Sequence, residues 1–179
     1  MSDKIRESFN HLRGLANDIE KQLSGSQVQD QKLRNEIAGM FAVTISATYE
    51  GIIKQTLIDY AAGVHPKYKA HVEKEFENFN ARISIDHLKS YSQKFSLPEW
   101  TAPKAKKPTT IFHKALEDVR VTVERRFRAD LLLSYKNIQT WRNAYAHDGS
   151  TMATFKDVYN SHRVGKYVVV AFSRAFRSE

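Results

Sequence analysis

Apolar residues recur along most of this 179-residue chain at intervals of three and four, the spacing that lines one face of an α-helix. Ile5, Phe9, Leu12, Ala16, Ile19 and Leu23 predict a first helix, capped by Ser2-Asp3 and broken at Ser24-Gly25-Ser26. A second, longer helix is predicted from about Asp30 to Ala62, closed by Gly63 and Pro66. Its middle, Ile37 to Ile58, is largely apolar and carries small residues at Gly39, Val43, Ala47 and Gly51. Each glycine inside a helix costs about 1 kcal/mol relative to Ala. Close approach of another helix is the expected compensation, which makes this the predicted central core helix. Pro66 suits the first turn of a third helix with Tyr68, Val72, Phe76 and Phe79 on one face, and Asp86 to Phe95 predicts a further short helix.

Ser96 to Thr109 holds three of the four prolines together with Lys104, Lys106 and Lys107, and reads as a long loop. Thr109 or Thr110 can cap the helix that follows, which carries Ile111, Leu116, Val119, Val123 and Phe127. The alternation in VRVTV also fits a strand, but no partner strand is visible nearby, so helix is preferred. Asp130 either caps the next stretch or lies inside one continuous helix. Leu131 to Gly149 is amphipathic and ends at the stop signal Asp148-Gly149. Thr154 to Asp157 resembles a capping signal for a short helix through Tyr159. The tail from Val164 to Phe176 is rich in β-branched residues, so a strand competes there with a final helix. With no internal repeat and no composition break, the expectation is one all-α domain over residues 1–179: a bundle of four to five core helices with additional short ones.

Composition narrows the chemistry. The absence of cysteine excludes disulfides, thiolate metal sites and cysteine nucleophiles. No apolar run approaches the roughly 20 residues of a membrane span, and the charged, amphipathic start has no signal-peptide core, so a cytoplasmic protein without a membrane partner is expected. A formal charge of +8 favours a polyanionic partner such as nucleic acid. No phosphate-cradling glycine loop supports an ATPase or kinase. His65, His71 and His87 lack metal-ligand spacing with carboxylates, so no metal and no cofactor are expected.

One position breaks the hydrophobic pattern in an informative way. Leu131, Tyr135, Ile138, Arg142 and Tyr145 follow one helical stripe, and a guanidinium therefore stands where a core normally places Leu or Ile. An arginine there can snorkel or pair with a carboxylate, and a lone histidine is more often structural than catalytic. Three features favour function. Asn143 adjoins the arginine. His147 sits at a helix C-terminus, whose negative field suits a proton-carrying imidazole. Lys104 to Arg128 carries eight Lys or Arg against Glu117, Asp118 and Glu124. Arg142 and His147 lie about 140° apart on a regular helix, so they converge only if the helix ends at the histidine.

The sequence Arg142-Asn143-Ala144-Tyr145-Ala146-His147, at a helix end in a small all-α chain, resembles the R-polar-x(3)-H signature of the HEPN superfamily, in particular stand-alone bacterial HEPN-like nucleases. The specific match covers about six residues, supported by the helical layout of the rest. The resemblance implies a homodimer of four- or five-helix units that brings two motifs together. It also implies a metal-independent endoribonuclease of the kind found in toxin, phage-defence or CRISPR-linked systems, with an antitoxin or defence-system protein as partner. Other HEPN modules are inactive and bind RNA or protein. The implied chemistry suits the residues: RNA supplies its own 2′-hydroxyl nucleophile, His147 moves protons, Arg142 clamps phosphate oxygens and Asn143 positions one of them. The HEPN toxins paired with minimal nucleotidyltransferases carry a modified Tyr two residues after the His. Gly149 stands there in this chain, which speaks against that subfamily.

Secondary candidates complete the reading. Glu50 and Tyr145 are auxiliary site residues, with Glu36 the weaker alternative to Glu50 as an orienting carboxylate. Lys104, Lys106, Lys107, Arg125, Arg126 and Arg128 form the expected RNA-binding set. Trp141 reads as core and Trp100 as a loop anchor, although either can stack a base.

Overall fold

The computed structural model describes residues 2–25, 31–77, 83–95, 97, 99–100 and 109–177. Among them are seven α-helices: α1 (Asp3–Gly25), α2 (Gln31–Val64), α3 (Pro66–Glu77), α4 (Ile85–Lys94), α5 (Ile111–Phe127), α6 (Leu131–Asp148) and α7 (Phe155–Ala175). A single antiparallel pair of two-residue strands, β1 (Glu99–Trp100) and β2 (Thr109–Thr110), joins the two ends of the predicted loop. The fold is all-α, as the periodicity predicts. Phe79, Lys104, Lys106 and Lys107 lie outside the described residues.

Contacts divide the chain into two compact units, residues 1–48 with 132–166, and residues 49–131 with 167–179. The first is built from α1, the N-terminal part of α2, most of α6 and the N-terminal part of α7. Ile5, Phe9, Leu12 and Ala16 bury one face of α1, as their spacing predicts. Phe9 meets His162 of α7 edge-on at 5.9 Å between ring centres, and Phe41 of α2 meets Phe155 of α7 at 5.0 Å. α6 and α7 approach backbone to backbone. A side chain at Gly165 would stand 2.9 Å from Cα of Tyr135, so only hydrogen fits there. In the second unit Tyr60, Tyr91, Phe95, Phe112, Phe172 and Phe176 interlock through edge-on and tilted ring contacts between 4.6 and 6.4 Å.

Local signals explain most boundaries. The Thr110 hydroxyl accepts from the His113 N–H at 3.2 Å and starts α5, so the VRVTV stretch is helical. Arg128, in the left-handed conformation at φ 51°, ends α5 with its N–H on the Glu124 carbonyl. Asp130 therefore lies in a break between helices. The Leu131 N–H at the start of α6 donates to the Glu124 carboxylate at 3.1 Å, which also accepts from Arg120.

Two expectations need correction. The predicted short helix through Tyr159 and the β-rich tail are one continuous 21-residue helix, α7. Its start is the predicted capping box, with the Asp157 N–H on the Thr154 hydroxyl at 3.2 Å and the Thr154 N–H on the Asp157 carboxylate at 3.0 Å. Val158, His162, Gly165, Val169, Phe172 and Phe176 lie on one buried stripe of spacing three and four, and burial of that stripe outweighs the strand preference of the valines. Gly51 does not mark a close approach: it is exposed, with open space where a side chain would sit.

His162 is a buried titratable group of the first unit, 2% exposed, with its ring against Phe9 and Tyr159. Burial pushes its imidazole from 6.5 down to about 3, with nearby Lys166 acting in the same direction. The unfolded chain therefore binds one more proton than the folded one between those values. Stability is complete above pH 6.5 and falls as pH drops toward 3, by on the order of 4 kcal/mol at the lower end. Urea unfolding at pH 7 and pH 4 measures the loss, and His162→Phe, if it folds, flattens the profile over this window. An unchanged profile in that variant would show that other groups set acid lability.

Candidate active site

The stripe that contains Arg142 is buried at its N-terminal end and opens toward its C-terminal end. Leu131, Tyr135 and Ile138 are completely buried, whereas Arg142 and Tyr145, in line with them, are half-buried. The depth falls because the last turns of α6 are held from one side by α2. The Tyr145 ring lies directly on Gly39, where even a methyl group would overlap it. The expected close approach at a glycine of the core helix is thus real at Gly39, and its partner is a residue of the motif itself. Arg142 donates from a terminal guanidinium nitrogen to Oδ1 of Asn143 at 3.0 Å. That bond uses one of five donors and leaves most of the fork for a ligand.

His147 occupies a different face. Leu133, Lys136, Thr140, Asn143 and His147 are exposed and follow one another at spacings of three and four, so they form the open face of α6. The helix runs one residue beyond the predicted end, to Asp148. Gly149, at φ 66°, stops it in the left-handed conformation and donates its N–H to the Tyr145 carbonyl at 2.9 Å. This keeps the last turn α-helical through Asp148. No hydrogen bond joins the two among the described residues. Arg142 and Asn143 are brought together; His147 stands one turn away from Asn143, on the solvent side.

A model of the RiboL-PSP-HEPN family matches residues 3–178. The chain belongs to this family. Comparison with curated proteins and with solved structures gave no match. The RiboL-PSP-HEPN match spans both units, so the motif in α6 sits inside a domain of its expected superfamily rather than beside it.

The remaining site residues of this HEPN chain distribute unevenly. Glu36 lies in the same unit as the motif, one turn before Gly39 on α2, half-buried and with no hydrogen-bond or ion-pair partner among the described residues. Glu50, the carboxylate preferred from sequence, belongs to the second unit, where it is half-buried and partnered. Its apolar neighbours in sequence gave it weight, but they do not report which end of a 34-residue helix meets α6. Arg125, Arg126 and Arg128 are exposed at the end of α5 in the second unit. Trp141 is half-buried. No cluster of three His, Asp or Glu among the described residues is placed to hold a metal ion, and no helix among them is long and apolar enough to cross a membrane.

The seat of Tyr145 gives a test of how the motif is mounted. Gly39→Ala gains about 1 kcal/mol of helix propensity but drives a methyl group into the ring, so the net effect is a loss of roughly 1–3 kcal/mol. In a Tyr145→Ala background the same substitution becomes neutral or stabilising. Denaturant melts of the four proteins in the cycle measure the coupling, and additive effects would contradict the contact.

Proposed function

We propose that the protein is a metal-independent endoribonuclease whose site is Arg142, Asn143 and His147. The observation that carries this reading is a half-buried arginine, hydrogen-bonded to Asn143 at 3.0 Å, on a helix whose Tyr145 ring packs on Gly39, with His147 exposed one turn beyond Asn143. Membership of the HEPN superfamily, whose domains are typically metal-independent RNases, supports it. In this chemistry the 2′-oxygen attacks the adjacent phosphorus and the bond to the 5′-oxygen breaks, leaving a 2′,3′-cyclic phosphate and a 5′-hydroxyl. His147 takes the 2′ proton or supplies one to the departing oxygen. Arg142 balances the charge that builds on the phosphoryl oxygens, and its fork matches two of them at once.

Because Arg142 and His147 face apart within one chain, we place the working cleft between two copies, with the motifs related by a twofold axis. Leu133, 56% exposed, shares the face of Asn143 and His147, and Met40, 58% exposed, lies on α2 one residue from Gly39. We take these two exposed apolar residues as part of the surface that a second copy covers. The setting we assign is a toxin or phage-defence system, with an antitoxin or defence protein as regulatory partner.

RNA incubated in EDTA with wild type, Arg142→Ala and His147→Ala tests the chemistry. The expected losses are about 10²–10³-fold for the arginine and about 10²–10⁴-fold for the histidine, with 2′,3′-cyclic ends on the products. Cleavage that survives both substitutions would sink the assignment; a requirement for divalent metal would sink the metal-free mechanism. A stable wild type that binds RNA without cutting it would instead identify a binding module. Leu133→Glu tests the doubled cleft by light scattering and activity together: a shift to monomer with loss of cleavage is expected, and an active monomer would overturn it.

A further inference from the structure

α3 and α4 lie antiparallel in the second unit, with Tyr68 of α3 against Phe95 just after α4 at 5.7 Å, and Phe76 against Tyr91 at 6.4 Å between ring centres. Between them is an open groove of about 460 Å³, inside the range of small-ligand sites. On α3 the lining residues recur at positions 68, 71, 72, 75 and 76, and on α4 and its end at 87, 90, 91, 94 and 95, so each helix gives a whole face to it. The four aromatic rings are only half-buried, so they keep surface for a further ring to stack on.

Polar groups on the same walls are unspent. His71, Glu75, Ser90 and Lys94 have no side-chain hydrogen-bond or ion-pair partner among the described residues, although all four line one cavity. His87 shares a hydrogen bond between its Nδ1 and the Ser84 hydroxyl, which leaves Nε2 as its other nitrogen. Lys54 stands over the Phe76 ring at 5.7 Å and adds positive charge beside the groove. Burial, and secondarily Tyr60, raises the Tyr68 phenol above its ordinary value.

This inventory discriminates between ligands. A purely apolar ligand would strip water from the polar walls without replacing its hydrogen bonds. A metal ion has no ligand cluster here. A planar heteroaromatic ring with an anionic tail satisfies both halves: the ring stacks on tyrosine and phenylalanine, and the tail meets an ammonium and imidazoles. A lone carboxylate, Glu75, accepts from N–H groups on such a ring, and the Ser90 hydroxyl can pair with a sugar hydroxyl. We propose that the groove between α3 and α4 binds a free nucleoside monophosphate, with its base among Tyr68, Phe76, Tyr91 and Phe95 and its phosphate at Lys94. The groove shares no residue with the α6 motif, and the proposal stands independently of the ribonuclease reading.

The test is titration of the full chain with 5′-AMP, adenosine and ribose 5-phosphate, followed by amide chemical shifts and calorimetry. Saturable AMP binding is expected, with shifts concentrated on α3 and α4 and both fragments at least about tenfold weaker. Lys94→Glu, on an exposed side chain and with unchanged thermal stability, should weaken AMP by about tenfold or more while leaving adenosine nearly unaffected. Absence of saturation to about 10 mM, shifts centred on α6, or a Lys94→Glu protein that binds AMP like wild type would each overturn the proposal.

Discussion

The Tyr145 ring resting on Gly39 is the contact from which the candidate site takes its shape. A helix held only by its N-terminal turns frays at its end, because its last carbonyls lack intrahelical partners. In α6 the last turns carry the whole motif, and they are fixed by two devices. The aromatic ring is pressed onto a bare stretch of α2, and Gly149 closes the helix with a hydrogen bond to the Tyr145 carbonyl. One residue is held by its side chain and its main chain at once. Earlier in α6, Gly165 of α7 lets the two backbones meet at Tyr135, so α6 is seated against a neighbour at both ends of its buried stripe.

That mounting explains how an arginine can continue a core stripe. Completely burying a guanidinium requires partners for five donors, and Asn143 satisfies one. Half-burial resolves the conflict, because an arginine can lay its alkyl stem along apolar surface while its head stays in water. Among the described residues no carboxylate neutralises the Arg142 charge. His147 stands on the open face, where solvent reaches it. Their separation around α6 is the geometric ground for placing a working site between two chains.

The two units of the chain are built differently. The first encloses a neutral histidine in an aromatic pocket and joins helices through glycine, whereas the second is a web of phenylalanine and tyrosine contacts that surrounds an open groove. α2 and α7 contribute residues to both, so each unit draws on the same two long helices. A buried histidine gives the first unit an acid-sensitive point, and the second carries polar side chains along the walls of its groove.

How much of this was legible in the sequence follows from the range of each interaction. Helices α1 to α6 were readable because their spacing, caps and stops are local: Ser2, Pro66, Thr110 and Gly149 all act within one turn, as does the Thr154–Asp157 box that starts α7. The R-polar-x(3)-H pattern was readable for the same reason and led to the correct superfamily. Local signals failed where burial decided the outcome, as in α7, whose β-branched residues are helical because one stripe of them fills a core. They also placed the end of α6 at His147, one residue short of its end at Asp148. Tertiary structure alone decided that Gly39 receives a ring while Gly51 faces open space, and that Glu36 rather than Glu50 shares a unit with the motif. The physical reason is common to all of these: the residue a side chain meets across a helix interface depends on how helices are placed in three dimensions, and spacing along one chain does not carry that information.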